Sequence, residues 1–234
     1  MTRCLIVQHD EPDPPALIGD YLREVGYELD LRRLHEGDRL PGPSGLDACD
    51  ALVVLGGEMN VDQDAEHPWL ADERELLAEA LRRELPTLAV CLGAQQLALA
   101  AGGHVYQRAT MDRGWEPIEF VARDELVVDL HPRPFVLSWR RYTCALPDQA
   151  ELLADTAGEP QIYRVGRRAW GVLFHPEVDR KLVLSWLERD AAEIEESYEG
   201  GTKAFRKMTK RELLRSVMLC GQLMANFVAV VRGA

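Results

Sequence analysis

"LAVCLGAQQLALAAGG", residues 88–103, runs from an apolar stretch through a single cysteine into a string of helix formers. The residues before Cys91 show no polar alternation, as expected of a strand buried on both faces. The Ala, Leu and Gln residues after it favour helix, and Gly102 and Gly103 end the run. A strand that turns straight into a helix is the repeating unit of an α/β sheet, and the cysteine stands at the turn.

The same alternation extends toward the amino terminus. "CLIV" (4–7), "ELDLRRL" (28–34), "ALVVLGG" (51–57) and "TLAV" (87–90) read as strands. "PALIGDYLREVG" (15–26) and "HPWLADERELLAEALRREL" (67–85) read as helices between them. This order predicts a parallel sheet covered by helices. From about Val105 to Phe174 the pattern changes to short strand-like pieces with turns, "WEPIEFV", "PFVLSW", "ELLADT" and "AWGVLF", which read as a more antiparallel extension. The stretch from Asp179 onward reads as two helices broken at Gly200 and Gly201. The expected organisation is one α/β domain over 1–190, with a helical extension over 191–234 packed on it.

The totals restrict the function classes. In 234 residues, 47% hydrophobic and 28% charged, the composition is that of an ordinary globular domain with a real core. A formal charge of −12 repels phosphate backbones and anionic lipid, so neither nucleic acid nor a membrane is an expected partner. The apolar run at the amino terminus is too short for a signal peptide, and no stretch is read as approaching membrane-spanning length. Five scattered cysteines, Cys4, Cys49, Cys91, Cys144 and Cys220, form no close pairs and read as free thiols in a reducing compartment. The cytoplasm is the expected location. His9, His67, His104 and His131 supply no metal-ligand spacing, so no metal is expected.

In open α/β sheets, reactive groups gather where strands end and helices begin. Cys91 sits there, with small neighbours Ala89 and Gly93 leaving room for a tight turn. A helix amino terminus favours negative charge and so favours thiolate. "GVLFHPEV" (171–178) places His175 after an apolar strand and Glu177 two residues on. In an extended chain these share a side, so Glu177 can orient His175. The strand "ALVVL" ends in Gly56 and Gly57, whose N–H groups can face a cleft, and the N–H of Leu92 is the natural second half of an oxyanion hole. Each piece has an ordinary alternative: a small buried thiol, a satisfied core histidine, a solvated loop carboxylate, a plain Gly-Gly turn.

In order and spacing, "LVVLGGEMNV…PWL", "LAVCLGAQQLALAAGGHV" and "AWGVLFHPEV" resemble the oxyanion strand, nucleophile elbow and His-x-Glu segment of the class I, triad-type glutamine amidotransferases. The opening "LIVQHDEPDPPALIGDYLREVGYELDLRRLHEGDRLP" is similar to that of free-standing members that look like the glutaminase domain of GMP synthase. The resemblance covers about residues 3 to 190 and implies a flavodoxin-like, mostly parallel open sheet with helices on both faces. It further implies that Cys91 attacks the side-chain amide of glutamine, with the oxyanion held near Gly57 and Leu92. His175 protonates the departing ammonia, and Glu177 holds the imidazole. A glutamyl thioester follows and is hydrolysed. Gln95 and Gly56 take substrate-binding positions. No cofactor is implied.

Three positions depart from the family pattern. Ala89 stands where glycine is usual, and Glu58 follows Gly-Gly where proline is common. "VLSWRRYTCALP" (136–147) keeps Trp139 but carries Arg140 and Arg141 in place of histidine chemistry. Either arginine suits a substrate carboxylate, or forms a solvated basic turn. The expected substrate is therefore glutamine or another γ-glutamyl compound, with a synthase partner taking the ammonia. The alternatives are a γ-glutamyl hydrolase or peptidase, and a non-catalytic module of the same fold that engages partners through its last helix.

Overall fold

A computed structural model describes residues 2–233. The chain runs β1 (Arg3–Gln8), α1 (Ala16–Glu24), β2 (Glu28–Arg33), β3 (Ala51–Val54), α2 (Trp69–Arg82), β4 (Thr87–Val90) and α3 (Leu92–Ala100). It continues through β5 (His104–Pro117), β6 (Glu119–Phe120), β7 (Phe135–Ala145), β8 (Ala150–Thr156), β9 (Glu159–Val165) and β10 (Ala169–Val172). Three helices follow: α4 (Arg180–Arg189), α5 (Ala191–Ser197) and α6 (Gly201–Arg232).

The main sheet has the order β2-β1-β3-β4-β10-β9-β8-β6. Strands β2, β1, β3, β4 and β10 are parallel, and β9, β8 and β6 continue antiparallel. The apolar runs are explained by alternation across the pleat. Cys4, Ile6, Ala51, Val53, Leu88 and Val90 face one core, shared with α1 and α6. Leu5, Val7, Leu52, Val54 and Ala89 face the other, shared with α2 and α3. Both faces of β3 and β4 are fully buried, and the polar residue among them, Thr87, has its hydroxyl satisfied by donating to Leu85 O at 2.8 Å.

Three expectations change. "AWGVLF" belongs to the parallel core rather than the antiparallel extension: β10 pairs parallel with β4 on one side and antiparallel with β9 on the other. "WEPIEFV" and "PFVLSW" leave the main sheet for most of their length, since β5 and β7 form a separate antiparallel pair. The carboxyl end holds three helices, because the run before Gly200 breaks at Asp190, whose side chain accepts from Trp139 Nε1 at 3.0 Å.

Helix α6 also corrects the reading of length. One 18-residue window has mean hydropathy 1.6, enough to cross a membrane by length and composition, although half of that window is buried in the domain. Leu219, Leu223 and Phe227 recur on one face and close the first core, while Lys203, Arg206, Lys207 and Lys210 are exposed. The amino-terminal half contributes Phe205 to a third cluster with Trp139 and Trp186.

Candidate functional site

The turn after β4 has the expected sharpness. Cys91 takes φ 48° and ψ −105°, a left-handed conformation that a β-substituted residue occupies at a cost, as functional turns often do. Neighbours hold it there. The Cys91 N–H donates to Val172 O at 2.8 Å, and the Gln95 N–H donates to Cys91 O at 3.0 Å. Gly93 lets α3 press on β3: a Cβ at that position would lie 2.5 Å from the Val54 carbonyl oxygen.

The bond from Cys91 to Val172 ties the cysteine to the end of β10, and the chain beyond β10 carries His175. The His175 N–H donates to Leu137 O at 2.9 Å, Nδ1 pairs with Glu177 Oε1 at 2.7 Å, and the ring meets Trp186 edge-on at 4.8 Å. Both side chains are buried, and the Leu17 N–H fixes the Glu177 carbonyl at 3.1 Å. Burial works against a charged imidazole, but the Glu177 carboxylate and the neighbouring Cys91 sulfur override it and hold the His175 pKa well above its usual value. The second ring nitrogen thereby faces the thiol. Cys91 Sγ lies 3.9 Å from the Trp139 carbonyl oxygen. The other thiols are held protonated: burial pushes Cys144 up to about 12, raises Cys4 and Cys220 further, and raises Cys49.

These groups open into a cleft of about 410 Å³. Gly57, Leu92, Gln95, Trp139, Arg140 and Arg141 line it with Cys91 and His175. Among the described residues, the N–H groups of Gly57 and Leu92 have no protein acceptor. Gln95 Nε2 donates to Tyr142 O at 3.2 Å, so part of its amide is already engaged. Gly56 lies behind the wall, against the imidazole, and its carbonyl accepts from His9 Nδ1 at 2.7 Å.

Arg140 is not part of a solvated turn. Buried to 3% exposure, it donates through Nη1 to Gln161 Oε1 and Leu173 O, each at 3.0 Å, and its Nη2 lies 3.4 Å from Asp112. Its head thus braces β7 against β9 and the end of β10. Arg141 is exposed on the cleft wall. Glu58 is turned aside, its carboxylate 2.5 Å from Arg189 Nη1. Among the described residues, no group of three His, Cys, Asp or Glu side chains fits a metal ion.

Two supports carried no sequence signal. His9 and Glu73, both fully buried, pair at 2.5 Å, and His9 stacks on Trp69 at 5.2 Å. Burial disfavours charge on His9, and Glu73 overrides it, so its pKa is raised. Asp10 accepts from the Asp13 N–H at 3.0 Å and the Glu58 N–H at 2.7 Å, joining the loop after β1 to the loop after β3. The partners Glu73 of His9 and Glu58 of Asp10 lie far along the chain, beyond any local pattern.

The chain matches the family model for glutamine amidotransferase class-I over residues 16–190. It is 28% identical over 199 residues to the glutamine amidotransferase-like protein YfeJ of Salmonella typhimurium, covering 82% of each chain. It is 31% identical over 168 residues to the glutamine-hydrolysing GMP synthase of Phenylobacterium zucineum, covering 69% of this chain but 30% of the synthase. A solved glutamine amidotransferase from Thermotoga maritima superposes with TM-score 0.86 at 28% identity, over 97% of this chain and 98% of that one.

Proposed function

The chain belongs to the class I glutamine amidotransferase family, and from that membership we propose that it cleaves the side-chain amide of glutamine through a thioester on Cys91. The observation that carries this reading is the meeting of Cys91 and His175, from two separate strand ends, in one cleft, with Glu177 buried behind the imidazole at 2.7 Å from its Nδ1. The Cys91 thiolate attacks the amide carbon, and the carbonyl oxygen becomes an oxyanion that accepts from the Gly57 and Leu92 N–H groups. The His175 imidazolium gives its proton to the amide nitrogen, the C–N bond breaks, and ammonia leaves. Neutral His175 then takes a proton from water as the hydroxyl attacks the thioester. The C–S bond breaks, glutamate leaves and the thiolate returns. Glu177 keeps Nδ1 protonated and stabilises the imidazolium through both half-reactions.

The ammonia passes to an acceptor on a synthase partner. Support for this part is the likeness to a relative whose name joins GMP synthesis to glutamine hydrolysis, of which this chain matches 30%.

Intact-protein mass after incubation with diazo-oxo-norleucine, an electrophilic glutamine analogue, tests the reading beside Cys91→Ala. A stoichiometric adduct on the parent chain and none on the variant is expected. A folded parent protein whose Cys91 reacts with a small alkylating agent but not with the analogue would overturn glutamine as its substrate.

A further inference from the structure

The loop after β3 is pinned on both sides of its two glycines. The Leu55 N–H donates to Val7 O at 3.0 Å, Leu55 O accepts from the Gly93 N–H at 3.1 Å, and the Glu58 N–H donates to Asp10 Oδ2 at 2.7 Å. Between these ties lies the Gly56–Gly57 peptide, with no Cβ on either flank to restrain its rotation. Among the described residues its carbonyl accepts from one group, His9 Nδ1, at 2.7 Å. A trans peptide points its N–H opposite to its C=O, so a carbonyl drawn back onto His9 turns the Gly57 N–H the other way. Gly57 lines the cleft and the buried His9 does not. That N–H therefore faces the cleft, where no protein group among the described residues accepts it.

His9 has the chemistry for this tie. A carbonyl oxygen only accepts, so Nδ1 carries a proton. Nε2 meets Glu73 Oε2 at 2.5 Å and the ring stacks on Trp69 at 5.2 Å, so α2 fixes its orientation. The backbone is packed against the same residue: a Cβ on Gly57 would lie 2.9 Å from His9 Cβ and 3.0 Å from Leu92 Cδ2. We infer that His9 is a positioning residue for the reaction, holding the Gly56–Gly57 peptide so that its N–H is aimed at the oxyanion before substrate arrives, with Glu73 holding His9. Without that bond the peptide can rotate about its two glycines, withdrawing the N–H and presenting a carbonyl oxygen that repels an oxyanion. His9 acts through this peptide and touches no reacting atom. The inference rests on the reading that Cys91 attacks a glutamine amide whose oxyanion the Gly57 N–H receives.

His9→Gln and His9→Asn separate the tie from mere packing. A glutamine amide reaches the place of Nε2 and keeps a donor to Glu73 but none to Gly56 O, whereas an asparagine amide sits at the place of Nδ1 and keeps the donor to Gly56 O but abandons Glu73. A purely structural His9 makes His9→Asn the worse variant in both stability and kcat, since a buried carboxylate loses its partner. The positioning role predicts the reverse for kcat. His9→Gln should lose about 10²- to 10³-fold in glutamine hydrolysis, the cost of one oxyanion donor, with KM little changed, and His9→Asn should recover most of it. Alkylation of Cys91 by iodoacetamide, which forms no oxyanion, should stay at the parental rate in both. A kcat loss in His9→Asn equal to or greater than that in His9→Gln overturns the proposal, as does a matching loss in alkylation. If His9→Asn does not fold, the parent protein decides: a long-range proton–nitrogen NMR correlation should show His9 Nδ1 protonated, and a bare Nδ1 overturns the tie. A parent that neither hydrolyses glutamine nor takes the diazo-oxo-norleucine label overturns the glutaminase reading and the role of His9 together. A parent that hydrolyses glutamine but shows any of the failures above overturns the role of His9 alone.

Discussion

Gly56→Ala isolates what positions the imidazole, because the added methyl meets the site and little else. A Cβ at residue 56 would lie 2.9 Å from His175 Cε1, 3.6 Å from its Nδ1 and 3.5 Å from Cys91 Cβ. Ordinary contact begins at 3.4 Å, so the ring has to move by about 0.5 Å. It has little freedom to do so. Nδ1 is held at 2.7 Å by Glu177, Trp186 stands against the ring, and the His175 N–H is fixed to Leu137. A displacement of that size stretches the bond to Glu177 and misaligns the second nitrogen against Cys91 Sγ. Overpacking of this kind costs about 1–3 kcal/mol of stability, and sub-ångström to ångström misplacement of a reacting group lowers turnover by about 10- to 100-fold. The expected result is a folded protein with a Tm lower by a few degrees, kcat for glutamine hydrolysis down by about 10- to 100-fold, and KM changed much less. Gly93→Ala is the contrast: its Cβ meets backbone, the Val54 carbonyl at 2.5 Å, and it should damage folding before chemistry. A Gly56→Ala protein with parental stability and kcat within twofold would refute the argument that the imidazole is locked.

Three further outcomes follow from the buried pairs and the last helix. Glu177→Gln removes the carboxylate that, with the Cys91 sulfur, opposes burial at His175, so its imidazole should titrate at lower pH by NMR, and kcat should fall by about 10²- to 10⁴-fold. Glu73→Gln removes the partner that raises the His9 pKa, and it should cost about 3 kcal/mol or more in denaturant unfolding. A group with a raised folded pKa stabilises fully below its unfolded value, about 6.5 for histidine, and loses that contribution as pH rises through the folded value. The Glu73→Gln deficit should therefore be largest near pH 6 and shrink at alkaline pH, and a pH-independent deficit would count against a charged pair. Phe205→Ala should lower stability by about 3–5 kcal/mol in chemical denaturation, since Phe205 is fully buried against Trp139 at 5.8 Å and Tyr198 at 5.5 Å. Because Trp139 lines the cleft, the same variant should also weaken substrate binding.

Local periodicity carried most of the sheet. The apolar runs at 4–7, 51–54 and 88–90 became strands buried on both faces, because a strand covered on both sides favours apolar residues whichever way they point. The position of Cys91 was equally local: a strand end, a small neighbour and a helix-forming run specify the turn without help from elsewhere. His175 and Glu177 were close enough in sequence to be related locally, although they meet across a turn at Pro176 and Glu177 and not along the extended chain expected. What the sequence by itself could not determine was every pairing between distant segments. That β10 lies beside β4, and so brings His175 to Cys91, depends on a strand order that no short pattern encodes. Arg140 read as a clamp for a substrate carboxylate or as part of a solvated turn, and only packing against Gln161, Leu173 and Asp112 shows its head buried and engaged within the protein. The pairing of His9 with Glu73 became visible only once the chain had closed. The physical reason is the same in each case: apolar periodicity is imposed residue by residue on its own segment, whereas the partner of a buried charge is chosen by the fold.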